Sequence, residues 1–278
     1  MENVNKPIVV PWDFTHVAEN ALGHAINISK LLSREIVLLH IVEKPEDVNP
    51  SSDKLEEKIT ELKKTITSKL VPVVKDGNIF DTIREVAHEL KAEMVIMGTH
   101  GRKGMQKVTG SWALKVMANS KVPFLVVQDK PQTDSFKKIV FPIDFRRENK
   151  EKVSWVHYLS RHYRSTFLLF KRKAGDRGFK KRIASNLHYA ESFLKNNDVE
   201  YEIHSAKGKQ AFEKELVQFA KEQHAEMIMI LVTRDIGFFD YLVAAREQYI
   251  IANPEKIPVM CINPKPAKIS SGFRASGG

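Results

Sequence analysis

Between residues 98 and 111 the chain reads Gly98-Thr99-His100-Gly101-Arg102-Lys103-Gly104-Met105-Gln106-Lys107-Val108-Thr109-Gly110-Ser111, with four glycines, three cations and a closing serine. Glycines let main-chain amides turn toward an anion and let it come close. The start of a following helix adds unpaired N–H groups and a partial positive charge. Phosphate is the natural guest of such a loop, and Arg102, Lys103 and the Ser111 hydroxyl could supplement its amides. Asp13 ends an apolar run, placed to accept hydrogen bonds from a base or ribose. Taken singly, each feature has a plainer reading: strand-to-helix loops often need glycine, and Asp13 could merely cap the next helix. Together they point to a phosphate-bearing ligand. His40 and His100 have no carboxylate or second histidine at metal-ligand spacing and read as structural or pocket-lining.

The elements that must position these residues are written twice. Val9-Val10-Pro11-Trp12-Asp13-Phe14 returns as Val140-Phe141-Pro142-Ile143-Asp144-Phe145. Gly77 matches Gly208, Lys91 to Met97 matches His224 to Ile230, and Val122 to Val127 matches Ile257 to Ile262. The register drifts from 131 (144 − 13) to 135 (258 − 123), the amount that loop insertions give. Each copy is about one domain long.

In the first copy, apolar periodicity predicts a strand at Pro7 to Pro11, a helix from Thr15 to Leu32 behind a Thr15 cap, and a strand at Glu35 to Val42. It then predicts a helix from Ser52 to Leu70, a strand from Leu70 to Val74 that turns at Gly77, and a helix from Ile79 to Leu90. A strand at Glu93 to Met97, a helix from Ser111 to Asn119 and a strand at Val122 to Gln128 complete it. The second copy repeats the order, behind a linker from Asp129 to Phe136. Strands without in-out alternation, separated by helices, argue for parallel sheets covered on both faces. The expectation is α/β, two tandem doubly wound, five-stranded parallel-sheet domains of Rossmann-like type, at residues 1–130 and 137–263, with a disordered tail at 264–278. Ligands of such sheets bind beyond the carboxyl ends of the strands, where the winding reverses, and the glycine loop falls there.

A chain of 278 residues with 42% hydrophobic content can bury two cores. With no leader-like start and no long apolar run, it reads as cytoplasmic and unattached to membranes. The single cysteine, Cys261, sits in an apolar run and reads as an inert buried thiol. Residues 1–130 carry 18 Lys+Arg against 17 Asp+Glu, or +1, which leaves 26 (44 − 18) against 17 (34 − 17), or +9, for residues 131–278. The excess clusters at Arg146-Arg147, Lys171-Arg172-Lys173, Arg177 and Lys180-Lys181-Arg182. No nucleic-acid-binding signature accompanies it, so a solvated surface is the favoured reading.

The paired Pro-x-Asp segments and the loop Gly98-x2-Gly101-x8-Gly110-Ser111 resemble those of the universal stress protein family, in a tandem form covering residues 6 to 263. The resemblance implies a stress-response role and, in one branch, ATP binding, with or without Mg2+. By position it implicates Pro11, Asp13, Ile41, Met97, Gly98, Gly101, Gly110 and Ser111, and Arg102 joins them from the loop chemistry. It further implies that the copies pack as an intramolecular pseudo-dimer through their last strands; a homodimer of whole chains stays open. The gap between Gly101 and Gly110 is one residue shorter than the family pattern, which predicts a tighter loop. In the second copy the loop reads Leu231-Val232-Thr233-Arg234-Asp235-Ile236-Gly237-Phe238-Phe239-Asp240-Tyr241, with one glycine and two acids where phosphates would lie. One nucleotide site per chain is therefore expected, with the second copy as structural partner or docking surface. The alternatives are a slow ATPase, for which no Gly-x4-Gly-Lys-Ser/Thr loop or activated nucleophile is present, and a nucleotide-independent module using the basic second copy.

Overall fold

The computed structural model describes residues 6–99, 110–118, 120–146, 149–232 and 241–263; of these, residues 110–111, 149–154, 157 and 241–244 are described by their backbone alone. The amino-terminal half runs β1 (Ile8–Pro11), α1 (His16–Leu32), β2 (Ile36–Val42), α2 (Val48–Leu62), β3 (Leu70–Asp76), α3 (Ile79–Glu89), β4 (Met94–Gly98), α4 (Gly110–Met117) and β5 (Phe124–Val127). The carboxyl-terminal half repeats it as β6 (Lys138–Ile143), α5 (Asn149–Tyr163), β7 (Thr166–Lys171), α6 (Arg177–Asn196), β8 (Tyr201–Ser205), α7 (Phe212–Glu222), β9 (Met227–Leu231), α8 (Tyr241–Ile251) and β10 (Val259–Ile262).

All ten strands share one sheet, in the order β3-β2-β1-β4-β5-β10-β9-β6-β7-β8. Within each half every pairing is parallel; only β5 and β10 meet antiparallel, with Leu125 opposite Met260. Because side chains alternate across a strand, Ile8 and Val10 enter the core on one face and Val9 the core on the other. Both cores run through the β5–β10 seam into both halves. The strands are buried on both sides, which explains their unbroken runs of Val, Ile and Leu. Cys261 lies in this seam, 2% exposed, and burial drives its thiol pKa well up, consistent with an inert side chain.

Side chains stitch the seam. Gln128 Nε2 donates to the Asn253 carbonyl at 3.0 Å, Asn263 Nδ2 donates to the Ser120 carbonyl at 2.9 Å, and α4 packs on α8. The connecting segment lies along α1, where Asn20 and Asn27 donate to the carbonyls of Gln128 and Thr133. His24, 5% exposed, bonds the Asp129 carbonyl through Nε2 at 3.1 Å. Burial holds the His24 pKa below its ordinary 6.5, outweighing the pull of Asp129, whose own carboxylate pairs with Lys256 at 2.9 Å. A histidine with a lowered folded pKa contributes full stability above about pH 6.5 and loses it as the pH falls below that. Urea midpoints should therefore drop between about pH 7 and pH 5.5, and His24→Gln should flatten that part of the profile.

The element order agrees with the sequence reading, but α2 does not keep its predicted bounds. It begins at Val48, because Pro50 sits in the first turn where its missing N–H costs nothing. It stops at Leu62, and Lys63 to Thr65 form a turn that leaves Ile66 outside the helix, still packed on the core. The predicted tail at 264–278 lies outside the described residues, as do Gly101 to Thr109. Among the described residues, no helix is long and apolar enough to cross a membrane.

Candidate functional site

At the point where winding reverses, between β1 and β4, the chain leaves a cavity of about 90 Å3. Pro11, Asp13, Ile41, Met97 and Gly98 all line it, so five of the sequence-predicted residues converge. Gly110 and Ser111 open α4, and their side chains are not described; Gly101, Arg102, Lys103 and His100 lie outside the described residues. The far wall was not foreseen: Ile79 and Ile83 of α3 and Trp112 and Val116 of α4 close it. Phe80 backs it, with its ring 4.5 Å from that of Trp112. Their apolar spacing was legible, but it reads equally as an ordinary core face.

Asp13 is exposed and faces the cavity with one oxygen engaged. Thr15 donates to Asp13 Oδ1 from its backbone N–H at 3.1 Å and from its hydroxyl at 2.5 Å, and Thr15 Oγ1 in turn accepts from the Ala18 N–H that starts α1. Asp13 thus helps order the helix start, as the plainer reading held, and Oδ2 takes no hydrogen bond from any described residue. Phe14 turns the chain with φ at 62°, a left-handed conformation that costs a non-glycine residue about 1–2 kcal/mol. Its ring is held edge-on to Trp12 and His40, under the Lys54 ammonium at 4.2 Å. His40 donates from Nδ1 to the Trp12 carbonyl at 2.7 Å, so it lines the pocket as a structural group.

Gly98 has a demand on it beyond ligand approach. A Cβ there would lie 2.1 Å from the Val17 carbonyl oxygen, so only glycine lets the first turn of α1 close onto the end of β4.

The carboxyl-terminal half builds the same corner differently. The strand registers place Asp144 where Asp13 stands, Arg146 where Thr15 stands, Arg172 where Ile41 stands and Leu231 where Gly98 stands. Arg146 donates from its backbone N–H to Asp144 Oδ1 at 3.0 Å and from Nε to Oδ2 at 2.8 Å, then reaches Glu247 of α8 at 2.9 Å and the Leu231 carbonyl at 3.2 Å. Asn186 of α6 donates to the Asp144 and Arg146 carbonyls at 2.7 and 2.9 Å. Burial pushes the Arg146 pKa down, and Asp144 and Glu247 more than reverse it. The carboxylate facing the first cavity is here consumed by the chain itself.

A family model described as the universal stress protein family matches residues 5–128. Universal stress protein MJ0531 of Methanocaldococcus jannaschii is 32% identical over 149 residues, spanning 48% of this chain and 87% of the relative. The chain belongs to the universal stress protein family. Universal stress protein MJ0577 of the same organism is 26% identical over 160 residues, spanning 47% of this chain and 99% of the relative. Across nearly the whole length, the fold matches that of a universal stress protein from Archaeoglobus fulgidus DSM 4304, with a TM-score of 0.72, 14% identity, and 94% and 97% of the two chains covered. That likeness is one of fold, and it runs across both halves.

Proposed function

We propose that this universal stress protein is a stress-response regulator that binds ATP or a related adenine nucleotide in its amino-terminal half. Residues 1–130 form the binding domain, and residues 137–263 form a degenerate domain that serves as structural or docking partner in an intramolecular pseudo-dimer. The observation that carries this reading is the asymmetry of the two corners. The first keeps an apolar cavity, a carboxylate with an unengaged oxygen and the start of a glycine loop; the second fills the same place with Arg146. A planar base suits the apolar walls of Ile41, Ile79, Met97 and Trp112, and Asp13 Oδ2 can accept from a ribose hydroxyl. Beyond Gly98 the chain enters the loop whose amides would meet phosphate. The donor set therefore fits an adenine nucleotide, which when bound supplies the charge and bulk that a partner protein could read. Among the described residues no group of three metal-ligating side chains converges, so any Mg2+ would arrive on the phosphates.

Equilibrium titration with a fluorescent ATP analogue tests this reading. The expected result is saturation at one nucleotide per chain, with Asp13→Ala weakening affinity by about tenfold or more, the worth of a charge-assisted hydrogen bond of about 1.5–3 kcal/mol. Two equal sites per chain, or an affinity indifferent to Asp13, would overturn it.

A further inference from the structure

The two halves diverge most sharply at one register position: Ile41 lines the first cavity, and its counterpart one residue beyond β7 is Arg172. The Arg172 guanidinium lies between two rings, 5.5 Å from the centroid of Phe145 and 5.2 Å from that of Phe212. Among the described residues it makes no hydrogen bond or ion pair. Its partial burial, and then Arg246 of α8, push its pKa down, with Asp144 and Glu213 pulling the other way. Among the described residues Arg172 is thus a cation with ring contacts and no ion pair.

The column continues outward. Phe145 stacks on Phe179 at 4.4 Å and 24°, and Phe179 is 41% exposed, a large ring open to water on the first turn of α6. Arg177, Lys180 and Lys181 are exposed beside it. Lys173 and Lys207 are exposed as well, and the Lys173 ammonium donates to the Lys207 carbonyl at 3.1 Å. Asp176 is the acid within this stretch, and its carboxylate is engaged in capping α6 through the Phe179 N–H at 2.8 Å.

We propose that this face of the carboxyl-terminal half, Arg172 with Phe179 and the lysines around it, binds single-stranded nucleic acid. Stacking on an exposed ring set among cations that track a phosphate backbone is how such strands are held without a sequence motif, so the missing signature in the sequence does not count against it. An acidic protein would satisfy the cations and leave the Phe179 ring without a role; an unpaired base uses both. The inference is independent of nucleotide binding in the other half.

The test is fluorescence anisotropy of a labelled uridine oligomer of about 15 nucleotides on the full chain, a length that spans one such face. Binding is expected at low salt, with log K falling against log salt at a slope of roughly −3, about four phosphates at 0.7 each. Phe179→Ala should weaken binding about tenfold at unchanged slope, as loss of a stacking ring does. The double change Lys180→Glu and Lys181→Glu should flatten the slope. Circular dichroism melts confirm that the exposed Phe179→Ala variant folds. No anisotropy change at low salt overturns the proposal. So does binding indifferent to Phe179→Ala and matched by heparin, which marks a surface for acidic partners, or displacement by inorganic phosphate at matched ionic strength, which marks a small-anion pocket.

Discussion

Arg146→Met should cost this protein about 3–5 kcal/mol of stability at neutral pH, because it strips the guanidinium from a buried cluster in which two carboxylates share it. Asp144 and Glu247 are 7% and 4% exposed, and both give an oxygen to the same guanidinium. Removing the guanidinium takes away an interaction that favours the charged carboxylates, so the loss grows with the fraction of each that is ionised. The deficit should therefore be small in acid and open as the pH climbs through the carboxylate range. Urea unfolding of both proteins across that range measures it. Replacing Arg146, Asp144 and Glu247 together by apolar residues of similar volume should recover most of the loss, since a well-packed apolar substitute is often neutral or better than a buried ion cluster. A parallel loss at every pH would instead show that Arg146 acts through packing alone.

Gly98→Ala should be strongly damaging in the first half. Its Cβ would lie 2.1 Å from the Val17 carbonyl oxygen and 2.6 Å from the carbonyl carbon, both backbone atoms that no rotamer can move aside. The relief must come from α1 shifting off β4, at about 1–3 kcal/mol or more. Because Asp13 and Thr15 are anchored to that helix start, the same shift deforms the cavity, and ATP-analogue binding should fall with stability. Thermal melts and binding titrations on the one variant report both. A binding defect here does not prove a contact between Gly98 and phosphate, which is why Asp13→Ala is the sharper test of the site itself.

The fold was legible because each copy carries the same buried runs, and a parallel strand covered on both faces has little choice of composition. Where the sequence misled, the cause was local. The helix was expected from Ser52, yet Pro50 is harmless in the first turn, so α2 starts four residues earlier, at Val48. The first-half cavity was half legible: Asp13 and Gly98 announced themselves by type, whereas Ile79, Ile83, Trp112 and Val116 are indistinguishable in sequence from core residues. The second copy was expected to differ through its altered loop, of which residues 233–240 lie outside the described residues; what the described residues show is Arg146 gripping Asp144. No spacing rule connects Arg146 with Glu247, which lie 101 residues apart. One signal was present: laying Asp13-Phe14-Thr15 over Asp144-Phe145-Arg146 shows an N-capping threonine exchanged for arginine, two residues from the acid it grips.

The antiparallel junction of β5 with β10 has an evolutionary corollary. Two identical subunits joined across a two-fold axis receive every mutation in duplicate, so neither can abandon a pocket while the other keeps it. One chain carrying both halves is free of that constraint, so the two ends of its ten-stranded layer can differ residue by residue, as Thr15 and Arg146 do.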